Sequence, residues 1–200
     1  MVDSATISPA AQPFMVEAAL YRSAGRGSER LATGSRVRPG DRIFMSFQAS
    51  RNVHVYVLNE DDLGEVFVLF PLAEVDLKNP IQARRRRRLP GSRAGENLSW
   101  QVSSAGGEEH LLVIASPTPL EELEELLRDV PSAAEGETNY VSVPDPVIAA
   151  VRGIGGLTAE KNQETTLASR SLFSRVQVLV DGPESSVGVW IRRIDLRNPL

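Results

Sequence analysis

The sequence contains no cysteine, which excludes disulfide bonds, thiolate metal sites and cysteine nucleophiles. Histidine is nearly as scarce, with only His54 and His110, and of the 22 basic residues only Lys78 and Lys161 are lysines. No segment approaches the roughly 20 consecutive apolar residues of a membrane-spanning helix. Residues 1–16 also lack the basic and apolar regions of a signal peptide. If this is the full-length chain, we therefore expect a cytoplasmic protein.

The remaining composition is that of an ordinary globular protein, with 42% hydrophobic and 24% charged residues and a net charge of -4. This charge argues against attraction of the whole surface to nucleic acid or anionic membrane, so we do not expect a nucleic-acid partner. A chain of this length can bury roughly 70% of its unfolded surface in one core. We predict a single domain over 1–200, with a core over 31–120, a helical and loop insertion over 121–170 and a C-terminal hairpin over 171–200.

Alternating apolar residues predict the first strands. From Arg42, the side chains of Ile43, Met45 and Phe47 alternate with partly polar neighbours, as a half-buried strand requires. The apolar stretches 53–58 and 65–70 flank a polar, glycine-containing turn. That arrangement predicts a β-hairpin.

Strand signals return further along the chain, at 98–102 and at 110–115. The second of these is a continuous apolar run, which predicts a central strand covered on both faces. A last hairpin is expected from 174–180 and 187–194, joined by a turn at 181–183.

The spacing of apolar residues predicts an amphipathic helix in one segment, which follows Thr118. Thr118 can cap a helix with Pro119 at its first position, and leucines recur at helical spacing until the helix ends before Pro131. A second short helix is expected over 145–153. Because strands dominate and hairpins connect them, we predict a mainly β fold: an antiparallel β-sandwich, immunoglobulin-like or jelly-roll-like, with one or two peripheral helices.

The order of several short elements resembles a known family. In chain order they are Leu31-x-x-Gly34, Val37-x-Pro39-Gly40-Asp41-x-Ile43, Tyr56-Val57-Leu58, Gly64, Leu69-Phe70-Pro71, Asn79, Leu89-Pro90, Gly107-x-Glu109 and Ala115-Ser116-x-x-Pro119-Leu120. Together they are similar to the bacterial family called domain of unknown function 4384, over roughly 31–120.

This resemblance implies an accessory role. Members of the family are commonly joined to serine/threonine kinase, caspase-like peptidase or anti-sigma-factor modules, which implies a partner that is another protein. The family supplies no agreed catalytic residues, so none is carried over. The matched glycines, prolines and Tyr56 are interpreted as determinants of the fold.

Catalytic and metal motifs are absent from the sequence: there is no nucleophile elbow, phosphate loop or zinc-protease motif. His54 and His110 are far apart in the sequence, so we predict neither a metal site nor a cofactor. The acidic groups 60–62 and 121–125 are interpreted as a solvated turn and a solvated helix face. The glycine-rich segment 153–156 is interpreted as a linker.

One local charge anomaly supplies the candidate binding residues. They are five consecutive arginines in the long polar connection 76–95: Arg84, Arg85, Arg86, Arg87 and Arg88. Self-repulsion predicts that this arginine run is exposed. Forked guanidinium groups can grip phosphates or an acidic protein surface, or the run can pair internally with the acidic segment 121–137.

The leading hypothesis is therefore a non-catalytic regulatory or protein-interaction module of a bacterial signalling, protease or membrane-regulator system. An enzyme with an unrecognised site and an anion or nucleic-acid binder acting through the arginine run are the alternatives. The loops 76–95 and 131–144 are expected to carry specificity. Deleting residues 84–88 should then change the folding free energy by no more than about 1 kcal/mol.

Overall fold

The computed structural model describes residues 12–60, 66–104, 106–128, 141–142, 184–186 and 188–199. Within these ranges lie the strands β1 (Phe14–Ala24), β2 (Gly27–Leu31), β3 (Arg42–Ala49), β4 (His54–Glu60), β5 (Val66–Phe70), β6 (Arg87–Leu89), β7 (Ser92–Arg93), β8 (Glu96–Asn97), β9 (Trp100–Gln101), β10 (Gly107–Ser116), β11 (Val141–Ser142), β12 (Glu184–Ser186) and β13 (Trp190–Asn198), and the helix α1 (Glu121–Arg128). The ladders between these strands are antiparallel.

The first sheet, sheet A, is built around β1 and β3. Its strand order is β12-β1-β3-β6, with β2 also pairing with β1 and β9 with β3. The β1–β3 ladder is the longest in this sheet and sets Val16 opposite Ala49 and Arg22 opposite Ile43. Apolar and polar residues alternate along both strands, so one face of sheet A is buried and the other faces solvent.

The second sheet, sheet B, has the order β11-β5-β4-β10-β13. The predicted hairpin over 53–70 is confirmed as β4 and β5, and the predicted central strand is confirmed because β10 pairs with β4 on one side and β13 on the other. The turn begins later than expected, since Asn59 and Glu60 continue β4.

The core lies between the two sheets. From sheet A it receives Phe14, Val16, Leu20, Met45 and Phe47, and from sheet B it receives Val55, Val57, Leu111, Val113 and Ile194. These side chains are close to fully buried. A sandwich of two antiparallel sheets, as predicted, follows from burying one apolar face of each sheet against the other.

A second apolar cluster covers the opposite face of sheet B. Alternate residues of the same strands, among them Tyr56, Leu112 and Ile114, pack against Leu123 of α1. The predicted peripheral helix is thus confirmed at Glu121–Arg128. Because the interior core covers one face of β10 and α1 covers the other, that strand has the uninterrupted apolar run seen in the sequence.

The connection 76–95 is more ordered than the predicted polar loop. It contains β6 and β7, and Ile81 is buried and bridges to Val53. The Asn79 amide accepts a hydrogen bond from the Val55 N–H at 3.0 Å and donates one to the Val55 carbonyl at 2.9 Å. Peptide bonds 70–71, 79–80 and 89–90, each preceding a proline, are cis.

Several predicted boundaries need correction. The strand expected over 98–102 is reduced to β9, and the strand expected over 187–194 is β13, which pairs with β10. Strands β1 and β2 were not predicted. The segments 131–140, 145–153 and 174–180, expected to form a loop, a helix and a strand, lie outside the described residues.

Candidate functional site on the outer face of sheet A

The outer face of sheet A, the side of that sheet away from the core, carries the candidate site. On β1 the buried residues are the even-numbered Phe14 to Leu20, so Glu17, Ala19 and Tyr21 point outward. The register places Tyr21 opposite Phe44 of β3 and also opposite Arg30 of β2. Polar and aromatic side chains from three strands therefore meet on one surface.

A stack of two rings and one guanidinium forms the middle of this face. The rings of Tyr21 and Phe44 stack with centroids 5.4 Å apart and planes at 16°. The Arg88 Cζ lies 3.3 Å from the centroid of the Phe44 ring, which is a cation–π arrangement. Arg88 also donates a 2.9 Å hydrogen bond to the Ser99 hydroxyl. Burial lowers the pKa of Arg88, because removal from water disfavours the charged form.

Arg86 extends the basic surface from the same connection. Its guanidinium forms a 2.8 Å ion pair with Glu17 and lies 3.4 Å from the Ser46 hydroxyl. Both Arg86 and Glu17 are more than half exposed, so this ion pair is screened by water and contributes little to folding. It can be exchanged for an external carboxylate at small cost.

Arg192 reaches the same face from the other sheet. It is a buried residue of β13, and its guanidinium donates a 2.8 Å hydrogen bond to the Ala18 carbonyl of β1. Burial lowers the pKa of Arg192, and the positive charge of Arg30 lowers it further. Arg30 and Arg192 both line a depression of ≈ 240 Å³ on this face. Its lining residues are Glu17, Ala18, Ala19, Tyr21, Arg30, Ser46, Arg86 and Arg192.

The arginine run predicted as one exposed site is divided by the fold. Arg84, Arg85 and Arg86 are exposed, but Arg87 and Arg88 belong to β6 and are half-buried, so the prediction of a uniformly exposed run was wrong. Arg87 pairs with Phe47 in the β3–β6 ladder, which turns its side chain away from the outer face, while Arg88 is on that face opposite Ser46. Antiparallel pairing has sorted consecutive arginines onto opposite sides of the strand.

The expected pairing between the arginine run and the acidic segment 121–137 stays a prediction, because residues 129–137 lie outside the described part of the chain. Within the described part of the chain, Arg86 of the run forms an ion pair with Glu17. Glu124 of α1 interacts instead with His54 and Tyr56 of β4.

The two histidines lie at opposite ends of the β4–β10 ladder, where His54 is opposite Ser116 and His110 opposite Glu60. His54 Nδ1 contacts Glu124 at 3.2 Å, and His110 Nδ1 contacts Asp195 at 2.7 Å. No cluster of three or more metal-ligating side chains occurs in the described ranges.

Two acidic residues differ from their predicted environment. Glu60, expected in a solvated turn, is only 1% exposed at the end of β4. Glu124, expected on a solvated helix face, is partly buried against Tyr56, whereas Glu121 and Glu125 are exposed as predicted. The register of a strand and the docking of a helix decide these positions, and local acidity does not.

Sequence reasoning missed most of the outer face, including Glu17, Tyr21, Arg30, Phe44 and Arg192. A signal for β1 was present, since apolar Phe14, Val16, Ala18 and Leu20 alternate with their neighbours. Strand β2 is short and almost entirely exposed, so it has no apolar pattern to detect.

Comparison with known proteins identifies one family. Residues 36–119 match the family model described as Domain of unknown function (DUF4384). The resemblance to this family seen in the sequence is thus confirmed over that segment. No curated protein matches the chain, and no solved structure matches it either.

The DUF4384 segment covers β3 through β10 and supplies Phe44, Arg86 and Arg88 to the outer face of sheet A. Strands β1, β2 and β13 lie outside it and supply the other lining residues of the depression except Ser46, which belongs to β3: Glu17, Ala18, Ala19, Tyr21, Arg30 and Arg192. The candidate site therefore combines DUF4384 residues with flanking elements of this chain. In the described residues, no helix is long and apolar enough to cross a membrane.

Proposed function

We propose that this chain is a non-catalytic interaction module that binds an acidic segment of another protein on the outer face of sheet A. The observation that carries the proposal is the stack of Tyr21, Phe44 and Arg88, surrounded by the exposed arginines Arg30 and Arg86. Tyrosine, phenylalanine and arginine are the residues that protein–protein interfaces favour.

The charge balance of this face favours an acidic partner. Arg30, Arg42, Arg86 and Arg88 lie on it against Glu17, while the chain as a whole has a net charge of -4. Positive potential is thus concentrated on one surface of an acidic protein, which steers an acidic partner to that surface.

Preorganisation also favours binding here. The Arg88 guanidinium is already held by the Phe44 ring and by the Ser99 hydroxyl, so little side-chain freedom is lost when a partner carboxylate arrives. The rings offer a flat apolar surface beside the charges. The corresponding outer face of sheet B is covered by α1.

The wider role is a regulatory accessory to a signalling, protease or membrane-regulator system, as the family resemblance suggests. In such a system the acidic partner is a kinase, a caspase-like peptidase or a membrane-regulator module. The alternative of anion or nucleic-acid binding uses the same arginines, so the experiment must separate the two.

Affinity capture from a native lysate tests the proposal, with direct titration of each captured protein. The test variant is Arg30→Glu/Arg86→Glu, and the matched control is Arg38→Glu/Arg93→Glu, which makes the same charge change at exposed residues away from this face. We expect wild type and control to bind the same partner through an acidic segment, and the test variant to bind it at least about tenfold more weakly.

Two results would contradict binding of an acidic protein segment at this face. Equal capture by the test variant and the control would remove the outer face of sheet A from the interaction. Saturable, salt-sensitive binding to DNA, RNA or phosphoinositide vesicles, without a protein partner, would replace the proposal with the anion-binding alternative.

A further inference from the structure

A cavity of ≈ 230 Å³ lies between the two sheets, at the end of the sandwich where β4 ends and β5 begins. Its apolar walls come from both sheets and include Ile43, Leu69, Trp100, Val102, Leu111 and Leu196. A cavity of about 150 Å³ with such walls accepts benzene. This one has room for a ring with a short substituent.

One wall of the cavity is held firmly. The Trp100 indole N–H donates a 2.9 Å hydrogen bond to the Leu69 carbonyl of sheet B, so the ring spans the gap between the sheets. Trp100 and Leu69 are both buried. The cavity is therefore bounded by fixed side chains, as small-molecule sites usually are.

A buried carboxylate faces this apolar space. Glu109 lines the cavity and is only 7% exposed. Its hydrogen-bond partner in the described residues is the Asn59 amide, whose Nδ2 donates to Glu109 Oε2 at 2.7 Å, and no arginine, lysine or histidine among those residues forms an ion pair with it. A carboxylate buried without a cation is costly, and a ligand that brings one would offset the cost.

Asn59 adds an unused acceptor at the same place. Its side chain also lines the cavity, it is 9% exposed, and its Oδ1 is buried without a hydrogen-bond partner. The Asn59 amide nitrogen faces Glu109 Oε2, so the amide oxygen is the atom that is left over. Buried acceptors without partners are rare in proteins. Asn59 Oδ1 and the Glu109 carboxyl group thus present acceptors to a cavity that the hydroxyl-bearing Ser103 and Ser104 also line.

We propose that this cavity binds a small molecule with a compact apolar body and a cationic donor group, a primary ammonium or an amidinium. The cation pairs with Glu109 and donates to the Asn59 Oδ1, while the apolar body fills the space beside Trp100. This activity goes beyond the proposed function, because it uses the interior of the sandwich rather than the outer face of sheet A.

Titration with four probes of similar size tests the charge preference: benzylammonium and benzamidinium as cations, benzyl alcohol as the neutral analogue and benzoate as the anion. The two tryptophans of the chain give an internal reference in NMR, since Trp100 lines the cavity and Trp190 does not. We expect the cations to bind saturably at up to millimolar concentrations and to shift the Trp100 indole signal more than that of Trp190.

Glu109→Gln is the decisive variant and Glu108→Gln is its matched control, because Glu108 is the exposed neighbour on the same strand. The first should weaken binding of the cations at least about tenfold and the second should not. Without ligand, Glu109→Gln should melt at the same temperature as wild type or higher, because it removes a buried carboxyl group with which no basic side chain of the described residues pairs.

Three results would overturn the proposal: no saturable binding of either cation, equal affinity for benzyl alcohol or benzoate, or cation binding that Glu109→Gln leaves intact. If Glu109→Gln fails to fold, the preference of wild type among the four probes, read at Trp100, still decides.

Discussion

The Tyr56 hydroxyl donates a 2.7 Å hydrogen bond to Glu124 Oε1 and so ties β4 of sheet B to the helix α1 that covers this sheet. The same hydroxyl accepts a hydrogen bond from the Leu120 N–H at 3.1 Å, just before α1 begins. Burial raises the pKa of Tyr56, and the hydrogen bond to Glu124 raises it further. The neutral phenol is thus the form that holds the helix.

Removing this hydroxyl should loosen the helix. Tyr56→Phe keeps the buried ring but removes one of the two contacts of Glu124, leaving that with His54, and leaves the Leu120 N–H without its acceptor. We therefore expect a loss of about 1–3 kcal/mol in unfolding free energy. Urea denaturation measures it, with Tyr21→Phe on the outer face of sheet A as the control, expected to change by less than about 0.5 kcal/mol. Equal losses in the two variants would contradict a special role for Tyr56.

A buried charge cluster on β10 and β13 predicts a pH dependence. Burial alone would raise the pKa of Asp195, but hydrogen bonds from His110 and Arg193, at 2.7 and 2.6 Å, outweigh it and hold the pKa below its usual value. A lowered carboxyl pKa stabilises the fold above the unfolded value of about 3.9, and this contribution is lost as the pH falls through the folded pKa.

Asp195→Asn should therefore lower the unfolding free energy at neutral pH by about 1–2 kcal/mol, and the difference from wild type should shrink below about pH 4. Denaturation curves at a series of pH values measure this difference. Glu108→Gln is the control, because this exposed carboxyl group also lies on β10. If the difference in unfolding free energy stays constant down to pH 3, the loss in Asp195→Asn comes from altered hydrogen-bond geometry and not from the missing charge.

Strands and helices were predicted correctly from the sequence where their pattern of apolar residues is compatible with a single kind of packing. Residues 111–115 are all apolar because both faces of β10 are covered, and the strand was correctly predicted as central. Helix α1 was also found, because its leucines recur at helical spacing. Its predicted start was wrong: the helix begins at Glu121, two residues after Pro119, and Glu124 N–H donates to the Leu120 carbonyl.

The arginine run and the buried acids were not predictable from local composition. Charge alone suggested that Arg88 is exposed, yet the ring of Phe44, more than 40 residues away, provides a surface on which it packs. For Glu109 a usable signal existed: it has the same parity as Leu111 and Val113, which face the core, so alternation would have placed it inside.

Arg88 should matter for stability and Arg85 should not. Arg88→Ala removes the contact with the Phe44 ring and the hydrogen bond to Ser99, which should cost about 1–2 kcal/mol, whereas the exposed Arg85→Ala should cost less than about 0.5 kcal/mol. Arg88→Lys keeps the positive charge but not the flat guanidinium, so it should recover only part of the stability that Arg88→Ala loses. Thermal and urea denaturation of the three variants compare them.

This also revises the expected effect of deleting residues 84–88. The deletion removes most of β6, which pairs with β3 through Arg87, Arg88 and Leu89, and the backbone hydrogen bond from Arg84 to Ala49. We now expect a loss of more than about 2 kcal/mol, since an edge strand of sheet A is lost. A deletion variant as stable as wild type would show that β6 contributes nothing to the fold.

Two glycines of the connection after β6 allow backbone strain and steric clash to be separated. Both have positive φ, +116° at Gly91 and +83° at Gly95. A Cβ at Gly91 would lie 2.8 Å from the Leu77 Cβ, whereas a Cβ at Gly95 would have no atom within 4 Å. Gly95→Ala should therefore cost only the roughly 1–2 kcal/mol of the left-handed conformation. Gly91→Ala should cost about 2–4 kcal/mol, because the clash with Leu77 is added to that strain.

Urea denaturation of the Gly91→Ala and Gly95→Ala variants gives both values. Leu77→Ala in the Gly91→Ala background should recover part of the loss if the clash is its source, and equal losses for the two glycine variants would show that the connection moves to make room for the methyl group.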